Sequence, residues 1–319
     1  MKIRVLGPLE VVTDDGRRVL IGPLKRRIVL GALTVAAGRV MSTDRLVDAV
    51  WPDDPPSSAL ATLRGLVYQV RLLIGVDAIE SQPLGYRLAP DGVLVDLRQF
   101  ETLVERGSIG ELDEALRMFR GQPFEDLGDG EPFGTARLWW VERRLYAFEA
   151  WCDLMLDARR PAEVVERIEH ELIGNPWRES LWERLMLALY RASRQADALH
   201  AYSRARRVLA EDLGLEPGSG LQTLEQQVLL HDPALDVGDT NSAGSARTRD
   251  LPRGTVAFLL TEVAGSTRLW ERASEVMSSA LSRHHEILTS AVAGAGGIMV
   301  QARGESDSTF SVFADPGVG

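Results

Sequence analysis

Thr62, Arg64, Tyr68, Gln69 and Arg71 fall within about three turns of one amphipathic stretch, at or beside positions its apolar stripe leaves free. An arginine can reach a guanine edge or a phosphate, and a glutamine amide can pair with adenine. Lys25, Arg26 and Arg27 stand together at the start of an earlier helical run, where they are candidate phosphate contacts. Arg87 offers another cation in a later hairpin. Taken singly, each could equally be a solvated basic residue on a small α+β module. The elements that carry them have to decide.

Those elements read as follows. Ile3, Val5, Leu9 and Val11 alternate with polar or small residues, and Asp14-Asp15-Gly16 marks a turn before Val19-Leu20-Ile21, so residues 2–21 predict short strands. From Leu24 the period turns helical and Gly38 ends it. Ser42-Thr43 predicts the cap of a second helix burying Leu46, Val47, Val50 and Trp51. Ser57 or Ser58 opens a third, with Leu63, Leu66, Val67, Val70, Leu73 and Ile74 as its inner stripe and Gly75 as its stop. Ala78–Ser81 and Gly85–Ala89 then predict a β-hairpin. Strands, three helices and a terminal hairpin make a winged helix-turn-helix over 1–96. In it the second helix braces the third in the major groove, and the hairpin reaches sideways to the backbone or minor groove.

The net charge of −10 argues against a nucleic-acid partner only while it is averaged over 319 residues. By segment it is +2 over 1–100, −9 over 101–235 and −3 over 236–319, and both lysines, Lys2 and Lys25, lie in the first segment. The longest near-continuous apolar run, Ile28 to Gly38, is too short to span a bilayer. With no signal segment at the start and a single cysteine, Cys152, a cytoplasmic location without a membrane partner is expected.

Residues 97–235 are almost wholly helical in pattern, with Trp139-Trp140, Leu145, Phe148, Trp151 and Leu154 on one long helix. Trp182, Leu185, Ala198, Tyr202 and Ala205 follow tetratricopeptide spacing, and Phe148, Trp151, Val164, Ile168 and Pro176 form a weaker copy starting 34 residues earlier. Packing is the expected role of Trp177, Trp182 and Tyr202. From Asp232 to Arg253 the composition shifts to Asp, Gly, Ser, Asn and Thr, which places a flexible linker at 236–253. Beyond it, Thr255–Leu260, a helical stretch over 266–293, Ile298–Gln301 and Thr309–Phe313 predict a β-α-β-β segment. Within it His284-His285 is the nearest thing to a metal pair, but adjacent helical residues face different ways and no third ligand is spaced for zinc. The fold class expected is therefore multidomain and mainly α: an α+β winged helix, an all-α repeat domain and a partial α/β segment.

Residues 1–235 resemble the Streptomyces antibiotic regulatory protein family, an OmpR-type winged helix joined to a bacterial transcriptional activation domain. The resemblance rests on Val5–Glu10, Lys25-x-Arg27, Arg45–Trp51, Asp54-Pro55-Pro56, Thr62-Leu63 and Gly85-Tyr86-x-Leu88. In the second domain it rests on Arg178-Glu179, Leu189-Tyr190-Arg191, Arg194-Gln195-Ala196 and Asp212–Gly218. It implies a transcriptional activator that binds direct repeats in double-stranded promoter DNA, as a homodimer at least on DNA, and contacts RNA polymerase. Similar third helices end in a denser run of arginines, whereas here Gln69 and Leu72 flank Arg71. Affinity should then lean on Lys25, Arg26, Arg27 and Arg87, or on dimerisation.

Residues 254–319 resemble the opening of a class III nucleotide cyclase domain, through Thr261–Trp270, Arg283-His284, Gly296-Gly297 and Gly304–Ser308. In that family two aspartates hold two divalent ions. Here Asp307 matches the second, while Glu262 replaces the first and is one methylene longer. The segment also stops before the purine-selecting and transition-state residues. Glu262 and Asp307 are thus expected to be vestigial, with no catalytic residue, no metal site and no cofactor. The competing function is a nucleotide-binding or cyclase-type signalling protein using this segment.

Overall fold

The computed structural model describes residues 1–89 and 93–235, the strand residues 257–262, 298–300 and 308–313, and isolated positions between 280 and 294. Two compact units emerge, Met1–Asp239 and Thr240–Gly319.

The first unit opens with β1 (Lys2–Arg4), β2 (Glu10–Val12) and β3 (Arg18–Val19), paired antiparallel in turn. Helix α1 (Leu24–Val35) buries Ile28 to Thr34 continuously. Its Gly31 is required by close approach: a Cβ there would lie 2.3 Å from Leu127 Cδ1 and 3.0 Å from the Phe133 ring. Strand β4 (Met41–Ser42) leads into α2 (Thr43–Val50), capped as expected by Ser42, whose Oγ accepts the Arg45 N–H. Helix α3 (Ala59–Ile74) buries Leu63, Val67, Val70 and Ile74, four residues of the expected stripe, and ends at Gly75 with φ of +112°. The hairpin pairs β5 (Ile79–Gln82) with β6 (Gly85–Leu88) in a register that sets Glu80 opposite Arg87.

Two pairings escape the sequence pattern. β4 joins the hairpin as a third strand through Met41 and Tyr86. After the hairpin, β7 (Leu94–Val95) lies parallel to β1 and completes a sheet in the order β3-β2-β1-β7. It hands the chain directly to α4 (Asp96–Arg106).

The helical part continues with α5 (Ile109–Arg117), opened by a Ser108–Glu111 capping box, and α6 (Phe133–Asp157). α7 (Pro161–Gly174), α8 (Glu179–Arg191), α9 (Gln195–Leu213) and α10 (Ser219–Leu229) follow, with α8 packed on both α7 and α9. Trp182, Leu185, Ala198, Tyr202 and Ala205 are all buried, as are Phe148, Trp151, Val164 and Ile168. Trp177 departs from its expected packing role. It is half exposed, and its indole N–H donates to Asp212.

One hydrophobic core runs through both parts of this unit. The seam is stitched by polar contacts. The buried Asp96 carboxylate accepts the Val5 and Leu6 N–H groups at 2.9–3.0 Å, while the Phe124 N–H donates to Val5 O and the Arg120 N–H to Leu6 O. Burial raises the Asp96 pKa, against the pull of the Leu6 and Val5 N–H groups and of Arg120.

In the second unit β8 (Ala257–Glu262) and β9 (Ile298–Val300) both pair antiparallel with β10 (Ser308–Phe313), which lies between them. The expected linker 236–253, the turn at Gly304–Ser306, Asp307 and His285 lie outside the described residues. Among the described residues no helix is long and apolar enough to cross a membrane, and no group of three or more His, Cys, Asp or Glu could hold a metal ion.

Candidate nucleic-acid interface

Helix α3 rests on α1 and α2 through its apolar stripe and turns its other side outward. Thr62, Arg64, Gly65, Tyr68, Gln69 and Leu72 are exposed on it. Tyr68 is 60% and Leu72 61% exposed, too much apolar surface for an internal packing role in this chain. Arg64 has no partner among the described residues, so its guanidinium is available to an outside acceptor.

The other expected contacts separate by what already holds them. Lys25 is exposed, with Nζ 4.5 Å from the centre of the Trp51 ring, a cation–π contact that ties the start of α1 to the end of α2. Arg26 Nε donates to Gln69 Oε1 at 2.8 Å, joining α1 to α3. Arg26 thus meets the outward side of the helix that also carries Arg64.

Three expected cations are otherwise engaged. Arg27 was expected on phosphate, but it is paired with Asp126, whose Oδ1 also accepts the Leu9 N–H. Arg71 was expected at a base or phosphate. Its Nε and Nη2 instead donate to Ile79 O at 2.9 and 2.7 Å, Nη2 also reaches Ser81 Oγ at 3.0 Å, and the guanidinium lies 5.8 Å from the Tyr86 ring centre. This fastens the last turns of α3 to the hairpin. Arg87 is paired across the hairpin with Glu80 at 2.7 Å. The physical reason is shared: an arginine with a carboxylate or carbonyl within reach in its own fold satisfies its donors there.

One cation that the sequence reading did not choose has the opposite character. Arg45, in the first turn of α2, is exposed and its side chain has no partner among the described residues. The signal was present in the Ser42 cap, which places the following residues at a helix N-terminus.

The chemistry available on this face is donation to acceptors: a guanidinium fork, an amide, hydroxyls and ammonium, without an acid or a nucleophile poised against a base. A concavity of about 630 Å³ lies far along the chain between α7, α8 and α9, lined by Leu172, Ile173, Trp182, Arg204 and Arg207 among others. Arg204 there is held by Glu169. The Cys152 thiol is buried, which pushes its pKa strongly upward and leaves it unreactive.

Comparison with known proteins bears on what such a face meets. Residues 95–229 match the family described as Bacterial transcriptional activator domain. The chain is 34% identical to Regulatory protein AfsR of Streptomyces coelicolor over 93% of its own length, but spans only 31% of that relative. It is 32% identical to Transcriptional regulatory protein EmbR of Mycobacterium tuberculosis, covering 89% of this chain and 82% of the relative. With Regulatory protein DnrI of Streptomyces peucetius it shares 34% identity over 74% of this chain and 94% of the relative. The solved structure of Mycobacterium tuberculosis EmbR in complex with a low-affinity phosphopeptide superposes with a TM-score of 0.68 at 31% identity, over 74% of this chain and 68% of that one.

Proposed function

The chain belongs to the Streptomyces antibiotic regulatory protein family of transcriptional regulators, and from that premise we propose that residues 1–96 act as a winged helix-turn-helix that binds double-stranded promoter DNA. In this reading α3 enters the major groove, Arg64 reads a base edge, and Thr62, Tyr68 and Gln69 line the same contact. Lys25 and Arg45 take phosphates. Arg71 and Arg87 shape the hairpin that flanks the helix, and Arg27 joins the reading unit to the helical domain. The observation that carries the proposal is Arg64, without a partner among the described residues, on an exposed face whose opposite side is braced by two helices.

Residues 97–235 then serve as the activation domain, a tetratricopeptide-like stack presented to RNA polymerase or to a second copy on a direct repeat, in the cytoplasm. The flanking of β10 by β8 and β9 supports a cyclase-like opening in 254–319. Its Glu262 ends β8, paired in register with Ser308.

The test is selection of bound duplexes from a random-sequence library by the full chain, followed by titration against salt. A phosphate-gripping reader enriches a defined sequence and loses affinity steeply between about 50 and 200 mM salt. The double substitution Arg64→Ala with Lys25→Ala should abolish the enrichment. Unchanged binding by that variant overturns the assignment of this face.

A further inference from the structure

Gly65 lies in the middle of the outward side of α3, with Thr62 a turn before it and Tyr68 and Gln69 a turn after, all exposed. A glycine inside a helix weakens it, because it has more backbone freedom to lose than alanine and no side chain to pack. In the helices of the first unit, Gly31 and Gly65 are the two glycines that lie beyond the first and last turns. Gly31 has a reason within the fold, since a Cβ there would collide with Leu127 and Phe133. Gly65 has none. Its backbone is helical, and a Cβ built on it would meet no other part of the fold within 4 Å.

The fold would therefore accept a methyl group at this position and gain from it. What such a group would meet is a partner lying on this face. We propose that Gly65 is a positioning residue, the point at which the backbone of α3 comes closest to the floor of the major groove. The missing Cβ lets the helix sit deep enough for Arg64 beside it to come within hydrogen-bond distance of a base edge. Donor–acceptor distances tolerate only a few tenths of an ångström, so a helix lifted by about 1 Å loses those bonds. Phosphate contacts from long, flexible cations such as Lys25 and Arg45 can follow the lift. The inference rests on the reading of α3 as the base-contacting helix and adds where its backbone touches.

The experiment compares the native full chain with Gly65→Ala and Gly65→Leu, both good helix formers, in thermal unfolding without DNA and in anisotropy titrations. Each titration uses the duplex that the native chain enriches and a duplex of unrelated sequence. Gly65→Ala should raise Tm by about 1–4 °C. Its affinity for the enriched duplex should fall about fivefold or more, the scale of one base contact, while affinity for the unrelated duplex is unchanged. Gly65→Leu should lose more of the specific affinity than Gly65→Ala. A smaller loss on the enriched duplex overturns the inference, as does an equal loss on both duplexes. So does a lowered Tm for Gly65→Ala, which would give the glycine a role in the fold itself. If Arg64→Ala weakens binding while both Gly65 variants bind as the native chain does, α3 remains the reading helix and this inference alone falls. If the native chain enriches no sequence, both fall together.

Discussion

Arginine serves two purposes in the two parts of Met1–Asp239. In the helical part it clamps helices together through carboxylates. Arg143 on α6 holds Glu101 on α4, Arg144 holds Glu171 on α7, Arg184 on α8 holds Asp153 on α6, and Arg204 on α9 holds Glu169 on α7. In the three-helix part, Arg64 and Arg45 stand exposed with no partner among the described residues. Each clamp sets one carboxylate against one guanidinium and so adds nothing to the net charge of the helical part, whose −9 comes from the acids in excess of its arginines. Net charge describes neither part, and the division is one of use rather than of every guanidinium, since Arg159 and Arg207 of the helical part are also exposed with no partner among the described residues.

The contrast breaks most visibly at Glu149. It is 9% exposed and accepts from Arg178 Nε and Ser180 Oγ, each at 2.6 Å, with Arg184 3.7 Å away. Glu149→Ala strands buried donors and should lower unfolding free energy by about 3 kcal/mol in urea titration, leaving DNA affinity unchanged at temperatures where the chain stays folded. Burial alone would raise the Glu149 pKa, but the hydrogen bonds from Ser180 and Arg178 and the charge of Arg184 outweigh it and hold it below its ordinary 4.5. That stabilisation is present at neutral pH and is lost as pH falls from about 4.5 through the lower folded value. The melting temperature of Glu149→Ala should therefore depend less on pH across that range than that of the native chain. Parallel pH profiles would show that the clamp contributes nothing.

Arg64→Ala tests the other side. Affinity for the enriched duplex should fall about tenfold or more in an anisotropy titration, while stability stays within about 0.5 kcal/mol of native. A variant that loses stability as well would place Arg64 among the clamps. Arg71→Ala sharpens the division, because its guanidinium is bound to the protein's own backbone. It should cost about 1 kcal/mol and speed amide exchange in β5 and β6, a change that Arg64→Ala does not produce.

Much of this architecture is legible from periodicity. The stripe from Leu63 to Ile74, the Ser42 cap and the Gly75 stop are local signals, and each lies where the pattern puts it. β7 is not legible, because two residues carry no alternation and pair only once β1 is already beside them. The candidate face is half legible. Exposure follows from the helical period, so Arg64 and Tyr68 could be chosen from sequence. The partners of Arg27 and Arg71 could not: Asp126 lies some hundred residues away, and Ile79 acts through a carbonyl that every residue type possesses. Which cations remain free is a tertiary property.

The buried Asp96 side chain ties the loop after β1 from one side, and the backbone of Arg120 and Phe124 ties it from the other. On the proposed reading of α3 as the base-contacting helix, that helix shares one hydrophobic core with the helical body, and its bearing would be set by that body. Two such chains side by side on one duplex would act as a ruler. The step between their contacts would be fixed by the width of the body, and inserting half a helical turn between them would turn one reading helix to the wrong side of the DNA.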